Sequence, residues 1–177
     1  MIENRKDYRI PFRSKFVFAT EDRVATGNAL NVSAGGIFIM ALNPFPRDTP
    51  VRCLFSLQRD ESPMVIDGIV RRVVVPSANP EETPGCGLEF ERGDPNLERI
   101  REFMEESRRN YEVAATILSS AEPDLSSLRP LLAKIHTPTF EDLGALRFYV
   151  ERILRSIELV DRTMAQRRGQ PIPFKAD

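Results

Sequence analysis

Two short stretches near the N-terminus hold the side chains best suited to gripping a compact anion that carries purine bases. The first is Arg5-Lys6-Asp7-Tyr8-Arg9, two arginines four apart just ahead of an apolar run. The second is Asn31-Val32-Ser33-Ala34-Gly35-Gly36, which reads as a polar turn between two strands. A guanidinium is a planar fork of donors that pairs with a phosphate or with the O6 and N7 edge of guanine, and its flat face stacks on a purine. The short Asn31 and Ser33 side chains accept from guanine N1 and N2 groups or hold the turn itself, while glycine at 35 and 36 lets backbone approach a ligand. Each motif alone has a plainer reading, a solvated arm for the first and an Asx-stabilised hairpin for the second. Their order and their placement around a strand favour the ligand.

Charge agrees with a small anion and disagrees with a long one. Arg5, Lys6, Arg9, Arg13 and Lys15 face only Glu3 and Asp7 within the first 15 residues, yet the chain holds 25 basic against 26 acidic residues overall. No global field exists to hold duplex DNA. Residues 97 to 177 carry 13 basic and 13 acidic side chains, which argues against nucleic acid on that half as well.

Catalysis has no visible seat. His136 is the only histidine, and with Cys53 and Cys86 far away in sequence a zinc site lacks ligands; it reads as a cation at a helix C-terminus or as a surface residue. No phosphate-cradling Gly-x-x-x-x-Gly-Lys loop and no Gly-x-Ser-x-Gly elbow occurs. Two cysteines make no disulfide framework and are expected to be reduced and buried. With no signal-like segment and no run of about 18 apolar residues, the expectation is a cytoplasmic chain without membrane insertion.

The elements that must position the arm and turn fall into two halves. From residue 13 to 90, short apolar or alternating runs at Lys15–Ala19, Val24–Leu30, Gly36–Ala41, Val51–Leu57, Met64–Val75 and Gly85–Phe90 are broken by turn-rich segments. That spacing predicts a barrel or sandwich, with Gly68 marking a bulge or bend and with Arg71 and Arg72 on opposite faces of their strand. After Gly93-Asp94-Pro95 the period becomes helical, which puts a boundary between residues 1–94 and 95–177.

Three helices are expected in the second half. The first, capped by Asp94, places Leu97, Ile100, Met104, Ser107, Tyr111, Ala114 and Leu118 on one stripe. The second is short, capped by Ser126 or Ser127, with Pro130 in its first turn and Leu128, Leu132 and Ile135 on one face. The third runs from Thr139 to about Arg168 and carries the heptad seam Leu143, Leu146, Val150, Ile153, Ile157, Val160 and Met164. Such a seam needs a partner, either a helical hairpin or three-helix cluster within the chain or a second copy of the long helix.

An Arg-x-x-x-Arg arm ahead of a barrel, followed by Asn-x-Ser-x-x-Gly, resembles the paired signature of PilZ domains. Gly87-Leu88-Glu89-Phe90 followed by Leu97, Ile100 and Phe103 is similar to that family's closing strand and trailing helix, so the resemblance covers residues 3 to 106. It implies an α+β fold: a six- or seven-stranded antiparallel PilZ-like β-barrel with a helical C-terminal segment. It also implies a receptor for cyclic di-GMP, with no enzyme activity, metal or other cofactor. By this resemblance Arg5 and Arg9 wrap the ligand, while Asn31, Ser33, Gly35 and Gly36 receive its other face. Asn31 stands where many members carry Asp, which implies a weaker bond to guanine donors, and Asn4 stands where many have a further arginine. Trp is absent, so any aromatic wall must come from another residue. The expected output is an unidentified protein effector that reads an ordered arm, with a homo-oligomer through the helices left open. The alternative is a ligand-free, degenerate relative acting as an adaptor through its barrel surface and heptad helices.

Overall fold

The computed structural model describes residues 6–58, 61–76, 82–135, 139–140 and 142–168. Arg5 and His136 lie outside these residues. Six strands form a closed antiparallel barrel: β1 (Ile10–Ala19), β2 (Val24–Ser33), β3 (Gly36–Met40), β4 (Pro50–Phe55), β5 (Met64–Val74) and β6 (Gly85–Phe90). Their order around the barrel is β1-β2-β3-β6-β5-β4, and β4 pairs with β1 to close it. Closure leaves the short β3 fully paired, between β2 and β6. Helices α1 (Asn96–Leu118), α2 (Leu125–Lys134) and α3 (Leu143–Arg167) follow. Six strands and three helices are the architecture the period change predicts.

Period-two alternation fills the barrel. Ile10, Phe12, Phe16 and Phe18 of β1 point inward, against Ile39, Cys53, Phe55, Ile66, Val70, Cys86 and Phe90. Phe16 stacks on Phe55 at 4.9 Å between ring centroids, and Phe12 meets Phe103 of α1 edge-on at 5.6 Å. Leu97, Ile100, Phe103 and Met104 of α1 and Ile157 of α3 belong to this same core, so the helical half closes one mouth of the barrel.

A second core binds the helices to each other. Tyr111, Ala114, Leu118, Leu128, Ile135, Leu146 and Val150 come from α1, α2, α3 and the α2 C-cap, and the Tyr111 hydroxyl donates to the Ile135 carbonyl at 3.2 Å. All seven residues of the α1 stripe are buried, and on α3 Leu146, Val150, Ile157 and Val160 are buried while Leu143 is exposed. Four of the seven residues of the heptad seam are therefore buried within the chain, with Ile153 and Met164 half-buried.

Several boundaries differ from the sequence reading, for identifiable reasons. β1 begins at Ile10, not Lys15, and includes Pro11; that end of β1 pairs only with β2, where a missing amide hydrogen is tolerated. β2 continues through Asn31 and Ser33, leaving only Ala34-Gly35 as the turn. A register shift between Val70 and Arg72, two residues past Gly68, breaks the strict alternation, and Arg71 and Arg72 are both exposed, as is ordinary for arginine. Arg71 is held there by Glu89 at 2.7 Å and Asp48 at 3.1 Å. α2 is capped by Asp124 rather than by Ser126 or Ser127, whose groups donate to it, and α3 starts at Leu143, where Asp142 accepts from the Ala145 amide.

Candidate functional site at the arm and the β2–β3 hairpin

The β1–β2 ladder determines where the arm lies. Ile10 pairs with Val32 and Pro11 with Asn31, so Arg9, one residue ahead of the first pair, stands beside the end of β2 that carries Ser33. Neighbouring strands lie about 4.8 Å apart, which makes Arg9 and the hairpin immediate neighbours. Ile10 and Val32 face the core, whereas Arg9 is exposed. Asp7 reaches the hairpin tip itself: its Oδ2 lies 3.2 Å from where a Cβ on Gly35 would stand. The structure thus brings Arg9, Asn31, Ser33, Gly35 and Gly36 to one place, beside the residue stretch that leads to Arg5.

Each hairpin residue has a local role. Ser33 is buried and its Oγ donates to the Gly36 carbonyl at 3.2 Å, bracing the two-residue turn. Gly36 faces β6: a Cβ there would fall 2.2 Å from the Leu88 carbonyl oxygen, so the close approach it permits is strand to strand. Asn31 is different. Its Oδ1 is buried and has no hydrogen-bond partner. Pro11, across the ladder, has no amide hydrogen to give. A buried acceptor left without a donor costs about 1–3 kcal/mol.

The outer face continues past the motifs in a row the sequence reading did not find. Asn31 pairs with Phe38, Phe38 with Gly87, and Gly87 with Arg72. Phe38 is half-buried and Arg72 exposed, and they flank Gly87 within 3.9 and 3.6 Å of its missing Cβ. The result is a bare backbone strip between the Phe38 ring and the base of the Arg72 side chain. Only strand pairing reveals it, because these residues are 34 positions apart in sequence from Phe38 to Arg72.

The arm is also fastened from behind. Tyr8, between Asp7 and Arg9, turns inward against the first core, and its hydroxyl donates to Glu105 Oε1 of α1 at 3.0 Å. Burial, reinforced by the Glu105 carboxylate, pushes the Tyr8 phenol well above its ordinary range, which keeps it a neutral donor. Burial pushes the thiols of Cys53 and Cys86 up to about 12 and about 11, so neither is a nucleophile at neutral pH. No cluster of metal-ligating side chains and no helix long and apolar enough to cross a membrane occurs among the described residues. A concavity of about 1250 Å³ lies over the outer face of β1, β4 and β5 and is lined by the Arg52–Asp67 pair and by Arg71 with Glu89.

Comparison with known proteins places this arrangement. Among solved structures, the inhibitor of motility MotI/DgrA of Bacillus subtilis superposes with a TM-score of 0.50 at 20% identity, covering 62% of this chain and 53% of that one. MrkH of K. pneumonia, solved in complex with c-di-GMP, gives 0.51 at 18% identity, covering 60% and 53%. YcgR of Escherichia coli, also in complex with c-di-GMP, gives 0.52 at 15% identity, covering 65% and 51%. The chain therefore spans about half the length of each, and at these identities the likeness establishes the fold. No curated protein matches it in sequence. The family model of the PilZ domain matches residues 3–106, more than half of the chain. With the whole barrel and the first half of α1 within that span, the chain belongs to the PilZ domain family.

Proposed function

We propose that this protein is a cyclic di-GMP receptor whose ligand sits where the arm crosses the β2–β3 hairpin, and that an ordered arm reports occupancy to a protein partner. One observation carries the reading: Asn31 Oδ1 is a buried acceptor without a donor, on the face where Arg9 and Ser33 meet. A guanine N–H group satisfies it, removing the cost of leaving it unpaired. Arg9, with Arg5 four residues upstream, supplies forks for the phosphates and a flat surface for a base. Phe38, Gly87 and Arg72 extend the floor, with the Phe38 ring and the exposed Arg72 side chain on either side of open backbone.

Isothermal titration calorimetry of the full chain with cyclic di-GMP tests this. Saturable binding is expected, weakening as salt is raised, and Arg5→Ala and Arg9→Ala each lose at least about tenfold in affinity because a charge-assisted pair to phosphate is removed. Absence of saturable heat with the wild-type chain overturns the reading.

A further inference from the structure

Behind the arm lies a chain of polar contacts that leads away from the hairpin and into the helices. The Tyr8 hydroxyl reaches Glu105 on α1 at 3.0 Å, and one turn further along the same helix the Arg108 guanidinium lies 5.9 Å from the Tyr8 ring centroid. Arg108 in turn donates from Nε to Glu112 at 3.2 Å and from NH1 to Asp161 of α3 at 2.9 Å. Its side chain is 30% exposed, whereas the arginine of the Arg155–Glu151 pair on α3 is 75% exposed. Partial desolvation makes such a pair stiffer and more sensitive to its surroundings than a solvated one. Ile153 and Leu154 of α3 pack against both hydrophobic cores, so α3 moves with neither core alone.

We infer that Glu105, Arg108 and Asp161 are positioning residues for the arm: they clamp Tyr8 and thereby hold Arg9 over Ser33, so that ligand occupancy and the packing of α3 on α1 are coupled. None of the three lies on the hairpin face. Tyr8 is half-buried and Arg9, the next residue, is exposed just ahead of β1, so fixing the ring limits where the backbone of Arg9 can lie. Coupling is reciprocal by linkage: whatever shifts α3 changes ligand affinity, and ligand changes the freedom of α3 by the same factor. The ligand's identity rests on the receptor reading above; the clamp itself does not.

The test uses Asp161→Asn and Arg108→Ala in the full chain, with Arg155→Ala as a control on the same helix. Arg155 pairs with Glu151 and makes no contact in the chain from Tyr8 to Asp161. Cyclic di-GMP affinity is expected to fall about 5-fold or more in both clamp variants, the low end of ordinary coupling, and to stay within twofold in the control. Hydrogen exchange of the unliganded proteins gives a second readout: the amides of Arg9, Ile10 and Phe12 exchange faster in both clamp variants than in wild type and control. Wild-type affinity together with wild-type arm exchange in Asp161→Asn overturns the inference. If wild type shows no binding at all, the receptor reading fails, and arm exchange alone then decides the clamp.

Discussion

Among the described residues, Asn31 Oδ1 is the one buried side-chain oxygen or nitrogen without a hydrogen-bond partner, and its neutrality makes a prediction. An amide oxygen accepts from a guanine N–H more weakly than a carboxylate does, since charge-assisted bonds are roughly twice as strong. Asn31→Asp is therefore expected to tighten cyclic di-GMP about 3- to 10-fold, an additional 0.7–1.4 kcal/mol. Without ligand the same substitution buries a carboxylate with no partner, which disfavours the charged folded form and lowers stability at neutral pH. Thermal melts with and without ligand check both signs: the unliganded midpoint falls, while the shift on adding ligand exceeds that of wild type. An unchanged ligand shift would mean the orphaned oxygen is not the guanine acceptor.

At the scale of elements, the hairpin shows why the motif was legible and its geometry was not. Residue types at 31, 33 and 36 are readable from sequence, but Asn31 and Ser33 lie within β2, and only the ladder to Pro11 sets the arm against them. Pro11 hid the start of β1 because proline normally interrupts a strand, and its tolerance depends on which neighbour that stretch pairs with. The Phe38–Gly87–Arg72 row was illegible for the same reason: strand order around a closed barrel is long-range information. The helical stripes were legible down to Ser107, since 3.6-residue periodicity is local. Gly36 was assigned to ligand approach, whereas its Cβ would collide with the Leu88 carbonyl at 2.2 Å. Gly36→Ala is accordingly expected to destabilise the unliganded protein by about 1–3 kcal/mol through overpacking between β3 and β6. Urea unfolding without ligand measures this; a wild-type midpoint would return Gly36 to a purely ligand-facing role.

Across the whole molecule, the period change at residue 94 marks a change of secondary structure, but the first hydrophobic core runs through it. Phe103 of α1 is 6% exposed and meets Phe12 inside the barrel mouth at 5.6 Å, and Ile157 of α3 joins the same cluster. Two independent folding units would each need a closed core, and here the barrel's mouth is closed by helices whose own second core lies farther out. We therefore expect one cooperative transition, with helix content followed by far-UV circular dichroism and barrel opening followed by the reactivity of Cys53 and Cys86. Both thiols are fully buried inside the barrel, so they report its opening and little else. Phe103→Ala should cost about 3–5 kcal/mol, as for other buried aromatic truncations, and both probes should shift together. If the helical signal alone moved while the thiols stayed protected to the wild-type urea concentration, barrel and helices would be separate units. A shared core is also what lets a clamp between Tyr8 and Asp161 act over a distance, because α1 cannot shift on α3 without disturbing the packing around Phe12 at the root of the arm.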